Sequence, residues 1–473
     1  MAQHGMPKSE QVVRDESDGT ELIVREAPQL SLFEPSQTLT PSSPVTALEV
    51  SRLGTFQDCL RAPVHRWFKY PAGFSYRLVE TLITEFRLTQ SHWILDPFVG
   101  CGTVSVVAKQ QGVNSVGLEA HPFVHWVARV KCFWEFDMKR LHHKLVELLA
   151  YVRSPSAGDL SRQDLTEFSK LLHKCFSEQN LRKLKFLRET IKGFDLLPEE
   201  RDLFLLALVD TLRTATKAGA GWPYIAPSAY HEKQERDAIE VFCETAKMFY
   251  QDLMTIRANW RKLPVTCDLL LHDARQPYPL DEASIDLAVT SPPYLNNYDY
   301  ADRTRLELYF LGWAKSWRDI TEKIRERLII AATTQVRRTE FDGEPLSDEL
   351  KFLAPAIYKE LRIKITQLSH IRHGKGGKKS YDLMVAGYFN DIIQVLKQVY
   401  RVLKPGAPFV LVLGDSAPYG VHIPTDVYLG EIALGLGFRR YTIQTLRKRG
   451  EKWRNNPQRH KVALKEVLLT LWR

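Results

Sequence analysis

The sequence predicts an α/β fold: a mostly parallel, doubly wound sheet with a terminal antiparallel hairpin and two mainly helical insertions. Three observations carry this. Short apolar strands alternate with helices from about Thr46 to Trp134 and again near the C-terminal end. The apolar strand in SHWILDPF brings Asp96 to its carboxyl end and runs through Gly100 and Gly102 into a helix. A long leucine-rich block then separates two groups of strands.

The elements follow in order. Residues 1–45 are rich in Ser, Pro, Gln and Glu, with seven acids against three bases. They read as a flexible acidic tail. In the segment 46–134, SYRLVETLITEF has the spacing of an amphipathic helix, GTVSVVAKQQG a helix closed by Gly112, and SVGLEA a second strand. Residues 135–263 carry helical spacing throughout (LHHKLVELLAYV, LRKLKFLRETI, RDLFLLALVDTLRTA) and read as the first insertion. Strands return in 264–310 with CDLLLHD and IDLAVTSPPY. Residues 311–385 read as a second, basic insertion. Within 386–473 come the helix FNDIIQVLKQVYRVL, the turn KPG, the strand PFVLVLGDS, a helix near Tyr428–Leu436 and two late strands. No internal repeat is visible.

Composition sets bounds. Of 473 residues, 26% are charged and 44% hydrophobic, which is enough apolar surface to exclude disorder of the whole chain. No run of about 18 apolar residues suggests a membrane span. The start, MAQHGMPKSEQ, lacks the apolar stretch of a secretory signal, so a cytoplasmic protein is expected. The six cysteines form no CxxC pair, which argues against a zinc ribbon and fits a reducing compartment. The net charge is +9. Because the tail is acidic, the rest of the chain is more basic than this average, which permits a nucleic-acid partner.

Two motifs carry chemistry. In DPFVGCGT, Gly100 and Gly102 let the backbone turn tightly and approach a ligand. Glu119 ends the next strand, 23 residues after Asp96, which suits a carboxylate that takes two ribose hydroxyls. The loop lacks the third glycine of phosphate-binding dinucleotide sites, and no GxxxxGK[ST] loop is present. A nucleoside without phosphate fits, and S-adenosylmethionine is the obvious one. The second motif, TSPPY, follows the apolar strand IDLAV. Two prolines forbid continuation of the sheet and fix a rigid turn. Ser291, the Pro292 carbonyl, Pro293 and Tyr294 can offer acceptors and an aromatic face to the exocyclic amine of a nucleobase. Such a transfer needs no metal.

Together the two motifs resemble those of the DNA methyltransferases that modify exocyclic amino groups, cytosine N4 or adenine N6. HRWFKYPAGFS resembles that family's additional cofactor-side motif, and VLKPGAPFVLVLGDS and KEVLLTLW resemble its later strands. The resemblance implies a Rossmann-like methyltransferase core. It assigns Tyr70, Pro71, Phe74, Asp96, Pro97, Phe98, Gly100, Gly102 and Thr103 to the cofactor pocket, Glu119 to the ribose and Asp273 to the adenine. It assigns Ser291, Pro292, Pro293 and Tyr294 to catalysis. Serine in the first catalytic position is typical of cytosine-N4 methylation in this family. An adenine-N6 enzyme acting on DNA or RNA is the alternative. A non-catalytic subunit of a modification or defence complex is a third, opposed by the intact Asp96, Glu119, Ser291 and Tyr294. The cofactor loop precedes the catalytic loop, whereas many members run in the permuted order.

Double-stranded DNA is the expected partner. Nine cations and one acid lie between Arg439 and Lys461, among them Arg447, Lys448, Arg449, Lys452 and Arg454. A second basic loop, IRHGKGGKKSY, carries Lys375, Lys378 and Lys379. Both are expected to grip phosphates. In the tail, QLSLF (Gln29, Leu30, Leu32 and Phe33 as its partner-binding residues, with Leu32 and Phe33 the apolar anchors) resembles the pentapeptide with which bacterial DNA-processing proteins dock on the replicative sliding clamp. Purified clamp is expected to retain the full chain in a pulldown and to release a Leu32→Ala/Phe33→Ala variant; equal retention of both would sink this reading.

Overall fold

In the computed structural model, nine strands among the described residues form one sheet in the order β1-β2-β10-β11-β9-β8-β3-β4-β7. The structure describes residues 10–14, 21–26, 51–70, 73–155, 157–220, 225–226, 233–260, 262–341, 343–449 and 462–473. Pro71, Lys452, Arg454 and the clamp-like residues Gln29, Leu30, Leu32 and Phe33 lie outside them.

The central strands are β3 (Trp93–Asp96), β4 (Asn114–Glu119), β7 (Cys267–Leu271), β8 (Leu287–Thr290) and β9 (Pro408–Gly414). They are parallel to one another. The hairpin of β10 (Arg440–Arg449) and β11 (Leu464–Trp472) closes the sheet, with β11 antiparallel to both β9 and β10. Every residue of β8 and β9 is buried, as expected where helices cover both faces. On one face the helices Tyr76–Glu85 and Thr103–Gln111 share a core with Ile94, Leu287 and Val410. On the other, the helices Tyr381–Val402 and Thr425–Leu436 pack over Leu95, Ala288 and Leu411. The strand order reverses between β3 and β8, so their carboxyl ends flank a crevice suited to a ligand.

The expected helical blocks are present with two differences. Four helices of sixteen or more residues, Met138–Arg153, Glu178–Gly193, Pro198–Ala215 and Ala238–Asn259, make up most of the first block. They pack around the helix Pro122–Cys132 in one continuous core. A small two-stranded ribbon, β5 (Gly219–Ala220) with β6 (Ile225–Ala226), interrupts them. The boundary expected at residue 385 falls inside the continuous helix Tyr381–Val402, because apolar spacing runs unbroken through DLMVAGYFNDII.

The tail also departs from expectation. It contributes two strands, β1 (Glu10–Arg14) and β2 (Glu21–Glu26), and β2 pairs with β10. The physical reason is local. Leu22, Ile23 and Val24 form a short β-favouring apolar run, Ile23 packs on the core, and Arg25 pairs with Glu431 at 2.8 Å, so β2 covers the otherwise open edge of β10.

The first helical block holds the cofactor-side segment in place. The buried Asp252 carboxylate, on the helix Ala238–Asn259, accepts from the Val64 amide at 3.1 Å, the Trp67 indole at 2.9 Å and the Arg66 guanidinium at 2.9 Å. Trp67 stacks on Phe249 with ring centroids 4.2 Å apart. Val64 and Phe68 both take positive φ, 65° and 50°, a conformation that ordinary residues adopt at a cost. The Asp252 bonds offset it.

Beneath the cofactor loop, Gly117 of β4 has no room for a side chain. A Cβ there would lie 2.6 Å from Val99 Cγ2 and 2.9 Å from Leu269 Cδ2. Gly117→Ala is expected to destabilise the protein by ~1–3 kcal/mol through overpacking. It should also weaken cofactor binding by lifting Val99. Thermal unfolding and a cofactor titration check both, and wild-type values would show that Val99 is not seated on β4.

Candidate active site

The loop after β3 is shaped by its glycines. Gly100 and Gly102 take φ of 52° and 87°, in the left-handed region, and Gly102 caps the helix Thr103–Gln111. Their positions let the loop fold back over β4. There the Gly100 amide donates to Glu119 Oε2 at 3.0 Å, and the His121 amide donates to Oε1 at 2.8 Å. Each carboxylate oxygen keeps a lone pair for a further donor.

Asp96 is buried. Its Oδ1 accepts from the Phe98 amide at 3.0 Å and from the Thr290 hydroxyl at 2.6 Å. Thr290 is the last residue of β8 and immediately precedes Ser291, so this bond ties the two motifs together across the crevice. Burial pushes the Asp96 carboxyl up to about 7, against the pull of the Thr290 hydroxyl and the Phe98 amide. Burial likewise pushes Glu119 up to about 7, opposed by the His121 and Gly100 amides and reinforced by the nearby Asp96. His121 is buried, and its pKa is lowered to about 3 by desolvation. The neutral ring reaches Thr304 Oγ1 at 2.8 Å.

One cleft gathers most of the expected cofactor residues. Tyr70, Phe74, Asp96, Pro97, Phe98, Gly100, Thr103, Glu119 and Asp273 line it, together with Ser291 and Pro293. Gly102, Pro292 and Tyr294 do not line it. The Asp273 carboxylate is already engaged: it accepts from the Arg275 amide at 2.9 Å and pairs with that guanidinium at 2.7 Å. Tyr294 turns toward the terminal hairpin, where its hydroxyl donates to Glu466 Oε1 at 3.0 Å. Arg447 and Arg449 lie beside it. Arg447 Nε donates to Glu466 Oε2 at 2.6 Å, and the Arg449 guanidinium sits 5.3 Å from the Tyr294 ring centroid. Lys448 is exposed. Lys375, Lys378 and Lys379 are exposed on the turn after the helix Pro355–Gly374, with Lys375 Nζ 4.7 Å from the Tyr419 ring.

The cleft also takes residues that the sequence reading missed. His121 lies two places beyond Glu119 and was within reach of that motif. Phe56, His272, Tyr300 and the segment Arg327–Leu328–Ile329 also line the wall. The last three come from the second helical block and carry no recognisable pattern.

The donor set fits S-adenosylmethionine: a half-buried carboxylate with spare lone pairs, a glycine turn open to close approach, and apolar walls from Phe74, Phe98 and Ile329. The sheet order and this cleft suit the class of S-adenosylmethionine-dependent methyltransferases. Residues 44–129 match the model of the N6/N4 methyltransferase family, described as DNA methylase. The chain is 27% identical to the type II methyltransferase M.BsoBI of Geobacillus stearothermophilus, covering 89% of this chain and 87% of that protein. It is 24% identical to M.AvaI of Nostoc sp. (82% and 81%) and 23% identical to M.MvaI of Kocuria varians (83% and 85%). These likenesses support an N4/N6 DNA methyltransferase, an enzyme class that modifies exocyclic amines.

The raised Glu119 pKa has a stability consequence. The folded state binds this proton more tightly than the unfolded chain, whose value is near 4.5. Glu119 therefore contributes stability below about pH 4.5 that is lost as pH rises through about 7. In the protein without cofactor, the stability of wild type relative to Glu119→Gln is expected to fall by on the order of 2–3 kcal/mol between pH 4.5 and 8. Denaturant titrations at several pH values measure it, and a flat difference would contradict the raised pKa.

Proposed function

We propose that this protein methylates the exocyclic amine of a base flipped out of double-stranded DNA, and that the base is cytosine, modified at N4. The observation that carries this reading is the placement of Ser291 and Pro293 on the wall of the cleft that holds Asp96, Gly100 and Glu119. S-adenosylmethionine, when bound, supplies an electrophilic methyl group. Glu119 holds the ribose hydroxyls, and the Asp96–Thr103 loop brings its backbone close to the ligand. Tyr70, Phe74 and Phe98 form the walls, and Asp273 marks the adenine end.

The amine of a nucleobase is a poor nucleophile, because its lone pair is delocalised into the ring. Ser291 and the Pro292 carbonyl accept its hydrogens, favour rehybridisation and fix the direction of attack. Tyr294 gives the extruded base a face to stack on. The preference for cytosine over adenine rests on serine at position 291. Lys375, Lys378, Lys379, Lys448, Lys452 and Arg454 serve the phosphates. Residues 135–263 and 311–385 act as insertions in a core formed by 46–134, 264–310 and 386–473. The tail residues Gln29, Leu30, Leu32 and Phe33 tether the enzyme to the clamp in the cytoplasm.

Labelled cofactor and unmethylated DNA, followed by nucleoside mass analysis, should yield N4-methylcytosine. Ser291→Ala and Tyr294→Ala should each lower transfer by at least ~100-fold, the scale of a lost transition-state contact. Cofactor affinity should stay within about twofold. N6-methyladenine as the product would refute the cytosine assignment, and loss of cofactor binding in both variants would overturn the roles.

A further inference from the structure

The ring of Tyr294 is held by a strand far from it in sequence. Glu466 of β11 is buried, and both its oxygens are engaged: Oε1 by the Tyr294 hydroxyl at 3.0 Å, Oε2 by Arg447 Nε at 2.6 Å. A β-bulge creates this arrangement. The β10–β11 register runs Thr445↔Val467 and then Arg447↔Glu466, so Leu446 is the extra residue. The bulge leaves Leu446 buried and sets Arg447 opposite Glu466. Arg449, two residues on, lies over the Tyr294 ring and donates from Nη1 to the Asp415 carbonyl at 3.3 Å. Gly54 closes the pocket from the other side, where a Cβ would lie 2.8 Å from Glu466 Oε2.

A buried carboxylate is a costly way to fill such a space. Removing it from water costs several kcal/mol unless good partners offset it, and an apolar residue of similar size is often as stable. What the carboxylate adds is direction. Partial burial and the Glu466 carboxylate keep the Tyr294 phenol well above its usual pKa, so it stays a donor. With its hydroxyl anchored and a guanidinium on its face, the ring has one orientation.

We propose that Glu466, clamped by Arg447, is the positioning residue that orients the Tyr294 ring against the target base, and that Arg447 and Arg449 serve this ring rather than the DNA phosphates. The proposal rests on the reading of Tyr294 as the stacking wall and revises the role of two of the expected phosphate-binding arginines.

A double-mutant cycle tests it, with kcat for methyl transfer to unmethylated DNA measured alongside cofactor affinity and thermal unfolding. Tyr294→Phe and Glu466→Ala are each expected to lower kcat about tenfold, and the double variant to be no worse than either. Glu466→Gln should recover part of the loss, because its amide oxygen still accepts the phenol proton. If Glu466→Ala does not fold, the cycle is run with Glu466→Gln. Multiplicative losses, about a hundredfold in the double variant, would overturn the proposal. The slope of log affinity for DNA against log salt should not change in Arg447→Gln or Arg449→Gln; a fall of about one per substitution would return both to the phosphates. Tyr294→Ala separates the layers. If it retains wild-type kcat, the reading of Tyr294 itself fails, whereas an inactive Tyr294→Ala with multiplicative losses removes only the positioning role.

Discussion

The bond from Thr290 to Asp96, 2.6 Å long and buried, joins the strand ends that carry the glycine loop and TSPPY. Asp96 ends the strand that feeds the glycine loop, and Thr290 ends the strand that feeds TSPPY. The residues are 194 positions apart and meet because β3 and β8 are neighbours where the strand order reverses. A displacement of either strand moves both loops. The bond also explains why a carboxylate can be buried there. Two donors satisfy one of its oxygens, while burial keeps its proton affinity high.

The helical blocks support the wall of the cleft. Asp252 grips the segment around Val64, Arg66 and Trp67 with hydrogen bonds that offset two unfavourable backbone conformations. That segment leads directly to Tyr70 and Phe74 in the cleft wall. Arg303 continues the same support from the catalytic side by donating to the Lys69 carbonyl at 2.8 Å. Arg213, from the first block, pairs with the buried Glu307 just beyond it. Cleft wall, TSPPY loop and helical block therefore form one packed unit.

The charge pattern divides by burial. Asp96, Glu119 and Glu466 are held by specific hydrogen-bond donors. Lys375, Lys378 and Lys379 stay in solvent, where a polyanion can reach them. The basic excess of the chain thus has two fates. Some cations point into solvent alone, whereas Arg447, though exposed, pairs with the buried Glu466 and the partly buried Arg449 lies over the Tyr294 ring.

Much of the core was legible along the chain because its logic is local. An apolar strand, an acid at its end, glycines at the positions that need positive φ, and a proline pair that stops a sheet are all written within a few residues of one another. Their spacing implied both the doubly wound fold and the cofactor loop. The late apolar strands likewise signalled the closing hairpin. Contacts between distant residues carry no such periodic signature. Nothing in KEVLLTLW marks Glu466 as the partner of Tyr294, because strand order and a single bulged residue decide that meeting. Arg327–Ile329 reach the cleft only through the path of a helical block, and the acidic tail gains a strand only because β10 leaves an edge to pair with. Local chemistry was set by neighbours in sequence, whereas partnership across the site was set by which strands lie side by side.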